Sequence, residues 1–189
     1  MRNRALIVIA AALVLLTSAM TASAQLRLDM DINVPIYAGY SGGGVQQGAW
    51  NQFVIPFPDA QLSYQLPVGP VRIGAGVRVF TIIIENFLYP EAYVELDLDP
   101  FVVSASVGGL AILEFGLLTG ILTSAGSTNL TGFHSIIFPD LNVSYKVNDW
   151  LRITGGMFVI APFTNTISGI LGNNVFAGYV SAKFVALFK

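Results

Sequence analysis

Few residues in this 189-residue chain are equipped for covalent chemistry. There is one histidine, His134, beside Ser135, and there is no cysteine. A base and a nucleophile must meet to react, but neighbouring residues on a strand point to opposite faces, so this pair is badly placed. One histidine and no cysteine leave only scattered carboxylates for a metal. No catalytic residue, metal site or cofactor is therefore expected, and the chain does not read as an enzyme. What recurs instead is charge at alternating positions: Arg27, Asp29, Asp31, Asp59, Arg72, Arg78, Glu91, Glu95, Asp97, Asp140, Lys146, Arg152 and Lys183. Basic and acidic members nearly balance. Such a set is tolerated out of water only where each charge is paired and hydrogen-bonded. The alternative is a hydrated polar pore.

The elements that carry these charges have a period of two. Leu26, Leu28, Met30, Ile32, Val34 and Ile36 fall on one face of the first segment, with Arg27, Asp29, Asp31 and Asn33 on the other. That is a strand apolar on one side and charged on the other. Seven more follow, about Ala60–Leu66, Val71–Val79, Glu91–Leu98, Val103–Gly108, Asp140–Val147, Leu151–Met157 and Phe176–Phe188. Tight turns are expected at Pro67-Val68-Gly69-Pro70, Asp99-Pro100 and Asn148-Asp149, where proline, glycine and asparagine favour the needed dihedrals. Longer loops are expected at about 39–56, 84–90, 114–137 and 161–174. A repeat runs through the hairpins. Phe57-Pro58-Asp59 with Leu62-Ser63-Tyr64 returns as Phe138-Pro139-Asp140 with Val143-Ser144-Tyr145, and Tyr89-Pro90-Glu91 opens a third copy.

The N-terminus reads as an export signal, residues 1–24. Arg2 and Arg4 precede the apolar run Ala5 to Leu16, which is short for a membrane helix, and Ala22-Ser23-Ala24 is a small-residue cleavage site. Cleavage between Ala24 and Gln25 leaves residues 25–189 as one domain. Of the 9 basic residues two depart with the signal, leaving 7 against 11 acidic, a net charge of −4. That balance argues against a nucleic-acid partner. The chain stays hydrophobic without a later helical span, and lipid leaves an open sheet no partner for its backbone groups. The pattern therefore predicts an all-β, closed, antiparallel up-and-down barrel of eight strands crossing a membrane.

Three further features favour a membrane over an exported soluble barrel. The strand charges keep to one face. Tyr64, Phe101, Tyr145 and Trp150 cluster at the tight-turn end as an interfacial girdle. The last strand ends on the aromatic Phe188, followed by Lys189. In this layout the mature chain resembles the small OmpA/OmpX-type outer-membrane barrels. The resemblance implies a bacterial outer-membrane location, a bilayer as the surroundings, and recognition of the final strand by the barrel-assembly machinery.

An eight-stranded barrel is just wide enough to be filled by side chains, so the charges are expected to form a buried network and the protein to have a structural or surface-interaction role. The loops suggest a second role. Leu117-Leu118-Thr119-Gly120-Ile121-Leu122 and Ile167-Ser168-Gly169-Ile170-Leu171 are apolar and share a Gly-Ile-Leu core. Ile121, Leu122, Ile170 and Leu171 are candidates for the mouth of a site for small hydrophobic molecules, which the OmpW type of small barrel would imply. A lipid-modifying barrel enzyme using His134 is a distant third possibility.

Overall fold

The computed structural model describes residues 24–42, 45–50, 56–82, 84–124, 131–163 and 173–188. The expected signal peptide lies almost wholly outside the described residues. The elements are β1 (Gln25–Gly42), β2 (Val45–Trp50), β3 (Phe57–Val68), β4 (Val71–Ile82), β5 (Glu85–Leu98), β6 (Phe101–Gly116), α1 (Leu117–Ser124), β7 (Gly132–Lys146), β8 (Leu151–Pro162) and β9 (Asn174–Phe188).

Consecutive strands from β3 to β9 pair antiparallel, β1 pairs with β3, and β9 returns to pair with β1. This closes a ring of eight strands and removes the unpaired edges an open sheet would leave. β2 is not a ninth stave. β1 pairs with β3 from Gln25↔Gln65 to Asn33↔Phe57, and then with β2 from Tyr37↔Trp50 to Gly42↔Val45. β2 therefore extends the second stave beyond the point where β3 leaves β1.

The barrel is inverted relative to a water-soluble one. Arg27, Asp29, Asp31, Asp59, Gln61, Ser63, Gln65, Glu91 and Glu95 are buried, whereas Met30, Ile32, Leu62, Val94, Leu141 and Ile153 are exposed. The period of two sends every second side chain inward, and here the inward set is polar. Two inward glycines admit tyrosine rings from the paired strand. A Cβ on Gly74 would lie 2.2 Å from Tyr93 Cζ, and one on Gly156 would lie 2.7 Å from Tyr179 Oη. Each glycine faces its tyrosine across the ladder, Gly74↔Tyr93 and Gly156↔Tyr179, so the rings can lie across the lumen.

The register shifts in three places: between Pro35 and Tyr37, between Leu88 and Glu91, and between Gly109 and Ala111. Pro35 and Pro90 have no N–H to give to a ladder, and Gly109 has a φ of 105°, so each shift falls where regular pairing is obstructed.

The long connections are more structured than the sequence pattern suggests. Gly39–Gly42 belongs to β1 and Val45–Trp50 to β2, so the expected loop at 39–56 is largely a β-hairpin. The expected loop at 84–90 is a short turn, because β5 already begins at Glu85. Here Phe87 and Tyr89 continue the inward alternation toward Glu91, and Pro90 reads as a loop residue only in isolation. Among the described residues, the segment 114–137 holds the end of β6, helix α1 and the start of strand β7 from Gly132. His134 is consequently in a strand. β8 reaches Pro162 and β9 starts at Asn174, so the loop expected at 161–174 is shortened at both ends. The strands are 12 to 18 residues long in the ring, longer than sequence alternation alone suggests.

Candidate functional site

The thirteen charges picked out by alternation divide into two layers within the lumen. The lower layer lies toward the short turns, where Gln25 and Phe188 also sit. Arg27 forms its centre and is 1% exposed. Its guanidinium donates to Asp29 through Nε and Nη2, both at 2.7 Å, and to Glu95 through Nη1 and Nη2 at 2.6 and 2.8 Å. β1 and β5 are on different sides of the ring, so the Arg27–Glu95 pair crosses the lumen. Arg152 of β8 reaches Glu95 at 3.4 Å, and Lys183 of β9 lies 3.5 Å from Asp31. Nearer the turns, Arg72 pairs with Asp97, and Lys146 Nζ is 2.5 Å from Asp97 and 3.2 Å from Asp99. Tyr93 packs against this layer, with its ring centroid 5.4 Å from the Arg27 guanidinium and its hydroxyl 3.2 Å from Ser63.

The upper layer has one cation. Arg78 Nη2 lies 2.5 Å from Asp59, and Nη1 lies 3.2 Å from Glu91 and 3.4 Å from Asp140. These acids come from β3, β5 and β7. The same acids also accept from neutral donors: Asn33 to Asp59 at 2.8 Å, Gln61 to Glu91 at 3.2 Å, Ser106 to Glu91, and Tyr179 to Asp140 at 2.8 Å, while Asp59 Oδ1 has no partner among the described residues. The sequence repeat acquires a physical meaning here. Asp59, Asp140 and Glu91 are the acids of its three copies, and all three converge on Arg78.

The aromatic of each copy stands two residues before its acid, hence on the same face. Phe57, Phe138 and Tyr89 thus form part of an apolar chamber directly above Arg78. Two adjoining cavities, about 150 Å³ and about 130 Å³, share Phe80, Ile82, Phe158 and Ile160 as walls. Phe80 stacks on Phe158 at 5.2 Å, Phe158 on Phe138 at 5.9 Å, and Tyr89 meets Phe138 at 4.6 Å. Sequence reasoning missed this chamber. The signal was present, since Arg72, Gly74, Gly76, Arg78, Phe80 and Ile82 keep one phase, as do Arg152, Thr154, Gly156, Phe158 and Ile160. Sorting residues into an apolar outer face and a polar inner one hid the change of character along the inner face.

The candidate mouth residues fare differently. Ile121 lies on α1 and is 56% exposed. The Leu122 side chain, and Ile170 and Leu171 altogether, lie outside the described residues. α1 is tied down by Glu85, whose carboxylate accepts from the Thr119 amide at 3.0 Å and from its hydroxyl. Half-buried His134 and exposed Ser135 have opposite orientations on β7. No three potential metal ligands cluster among the described residues.

No family model matches the chain, and no curated protein matches it. Among solved structures it is similar to Neisserial surface protein A, at 12% identity over 85% of this chain and 96% of that one, with a TM-score of 0.42. It is also similar to Ail, the attachment invasion locus protein of Yersinia pestis. The Ail structure in complex with the heparin analogue sucrose octasulfate aligns at 6% identity and a TM-score of 0.37, and another Ail structure at 8% and 0.36, each over 87% of this chain and 99% of that one.

Proposed function

We propose that this chain is a bacterial outer-membrane β-barrel, exported by a signal peptide cleaved after Ala24, which binds a small apolar molecule in a blind chamber. The exposed apolar band supports the bilayer, because lipid accepts an apolar outer face and a closed ring leaves no backbone unpaired. Tyr64, Phe101, Tyr145 and Trp150 are all exposed near the short turns, as an interfacial girdle would be. The short turns and both ends of the ring face the periplasm in this reading, and β9 is the strand offered to the assembly machinery.

The observation that carries the binding role is the change along the lumen from charge to hydrocarbon. Below Arg78, ion pairs such as Arg27–Glu95 and Arg152–Glu95 cross the barrel. Above it, phenylalanine and isoleucine side chains surround space. An apolar molecule entering that space gains about 25 cal/mol per Å² buried, less the cost of association. The closed lower layer equally suits the structural, surface-interaction role expected from the sequence, and binding is added to it. No residue is assigned a catalytic part.

Naphthalene binding to the refolded barrel in lipid nanodiscs tests the reading, with protein-free nanodiscs as the reference. Ile160→Trp places a larger side chain in the wall common to both cavities. We expect it to weaken naphthalene binding at least tenfold while the β-sheet circular dichroism is retained. Equal binding by the folded variant, or none by the parent, would refute a binding chamber.

A further inference from the structure

We propose that the chamber selects a flat apolar molecule bearing one neutral oxygen, a phenol or alcohol, over analogues with an anionic or cationic head. The inference rests on the binding role proposed above and adds the chemistry of the ligand's polar end.

Two donors at the chamber floor are unused. Tyr89 is 1% exposed and lines the second cavity, yet its hydroxyl has no hydrogen-bond partner among the described residues. Arg78 lines the first cavity, and its Nε is also without a partner among the described residues. The two residues are partners across the β4–β5 ladder, Arg78↔Tyr89, and the cavities they line adjoin through Phe80, Ile82, Phe158 and Ile160. A buried donor left unmade is costly, and native structures satisfy nearly all of them. An oxygen that accepts from Nε–H and from the tyrosine hydroxyl would complete the set.

The surrounding charges decide what kind of oxygen. Arg78 already faces three carboxylates, Asp59, Glu91 and Asp140. A fourth carboxylate would enter a site with an acidic surplus, in surroundings that screen charge poorly. A cation fares no better. Of the three acids only Asp140 borders either cavity, and both of its oxygens accept from the Tyr179 hydroxyl, at 2.8 and 3.0 Å. An ammonium group would lose its water, meet the guanidinium and find both Asp140 oxygens already accepting, from Tyr179, Asn142 and Arg78, while the unpartnered Asp59 Oδ1 borders neither cavity. The stacked walls of Phe80, Phe138 and Phe158 suit a planar hydrocarbon body.

Four probes of one shape test the assignment: naphthalene, 2-naphthol, 2-naphthoate and 2-naphthylmethylammonium. Each is dialysed at neutral pH against nanodiscs with and without the barrel. We expect 2-naphthol to bind roughly tenfold tighter than naphthalene, the gain of one to two hydrogen bonds. The two ions should bind at least tenfold more weakly than 2-naphthol. Tyr89→Phe keeps the ring and removes the hydroxyl, and should reduce the preference for 2-naphthol over naphthalene threefold or more. Should that variant fail to fold, the parent's ranking of the four probes decides alone. Naphthalene bound but 2-naphthol not preferred, or either ion bound as tightly as 2-naphthol, would overturn the head-group assignment and leave the chamber standing. Absence of binding by all four would overturn both.

Discussion

Arg27 and Arg78 are both buried arginines among acids, yet they do different work. Arg27 balances Asp29 and Glu95 in a layer that also holds Arg72, Lys146, Arg152 and Lys183. Removing it takes the nearest cation from two carboxylates that have little access to water, leaving Glu95 with Arg152 at 3.4 Å and Asp29 with Lys183 at 3.9 Å, and breaking such a buried pair costs about 3–5 kcal/mol. Arg27→Leu should therefore lower the urea midpoint of the refolded barrel strongly. Arg72→Leu should lower it much less, because the Arg72 side chain is 24% exposed and water can replace it. Equal losses would mean that the lower layer is hydrated throughout. Arg78 is the sole cation of its layer, so Arg78→Met leaves three acids facing one another. That variant should be at least as damaging as Arg27→Leu, and adding Glu91→Gln should recover part of the loss by reducing the repulsion. A double variant no better than the single would show that the repulsion is not what the arginine relieves.

At the scale of elements, the eight staves, their tight turns and the inward charges were legible because each follows from a short-range rule: period two, proline–glycine turn chemistry, and the exclusion of charge from an apolar face. What escaped was set by context. Leu117–Ser124 looks like an apolar loop, and its helix depends on a carboxylate from another strand, Glu85, which accepts from the Thr119 amide. A helix of 8 residues is too short to persist without such support. Glu85→Ala should accelerate amide exchange across residues 117–124 and leave β5 and β6 protected; unchanged exchange would mean that packing alone holds α1. Similarly, Val45–Trp50 becomes strand because the long β1 offers it an edge, which no property of Gly39–Gly48 announces. The orientation of the barrel also belongs to this scale. Cysteine at Gln47, in the long-connection half, should react with an impermeant reagent on intact cells, and cysteine at Asp149, in a short turn, only after lysis. The reverse pattern would invert the proposed topology.

The whole molecule joins a surface suited to lipid with a lumen that changes character along its axis. Eight staves leave a bore that side chains can fill, so small changes in inward residues decide between plug and cavity. In the lower half, arginines and carboxylates from facing strands meet, while in the upper half rings from the three repeat copies, Tyr89 and Phe138 in contact among them, line two adjoining cavities. The repeat links the halves, each copy sending one acid to Arg78 and one aromatic to the chamber. Closure below the chamber is the central claim, because a binding pocket and a pore require opposite floors. Ion conductance of the refolded barrel in a planar lipid bilayer tests it most directly. The parent protein should insert without a steady current, and Arg27→Leu, if it still folds, should conduct at least intermittently. A stable open level in the parent protein would contradict a sealed lumen and make the chamber the vestibule of a channel.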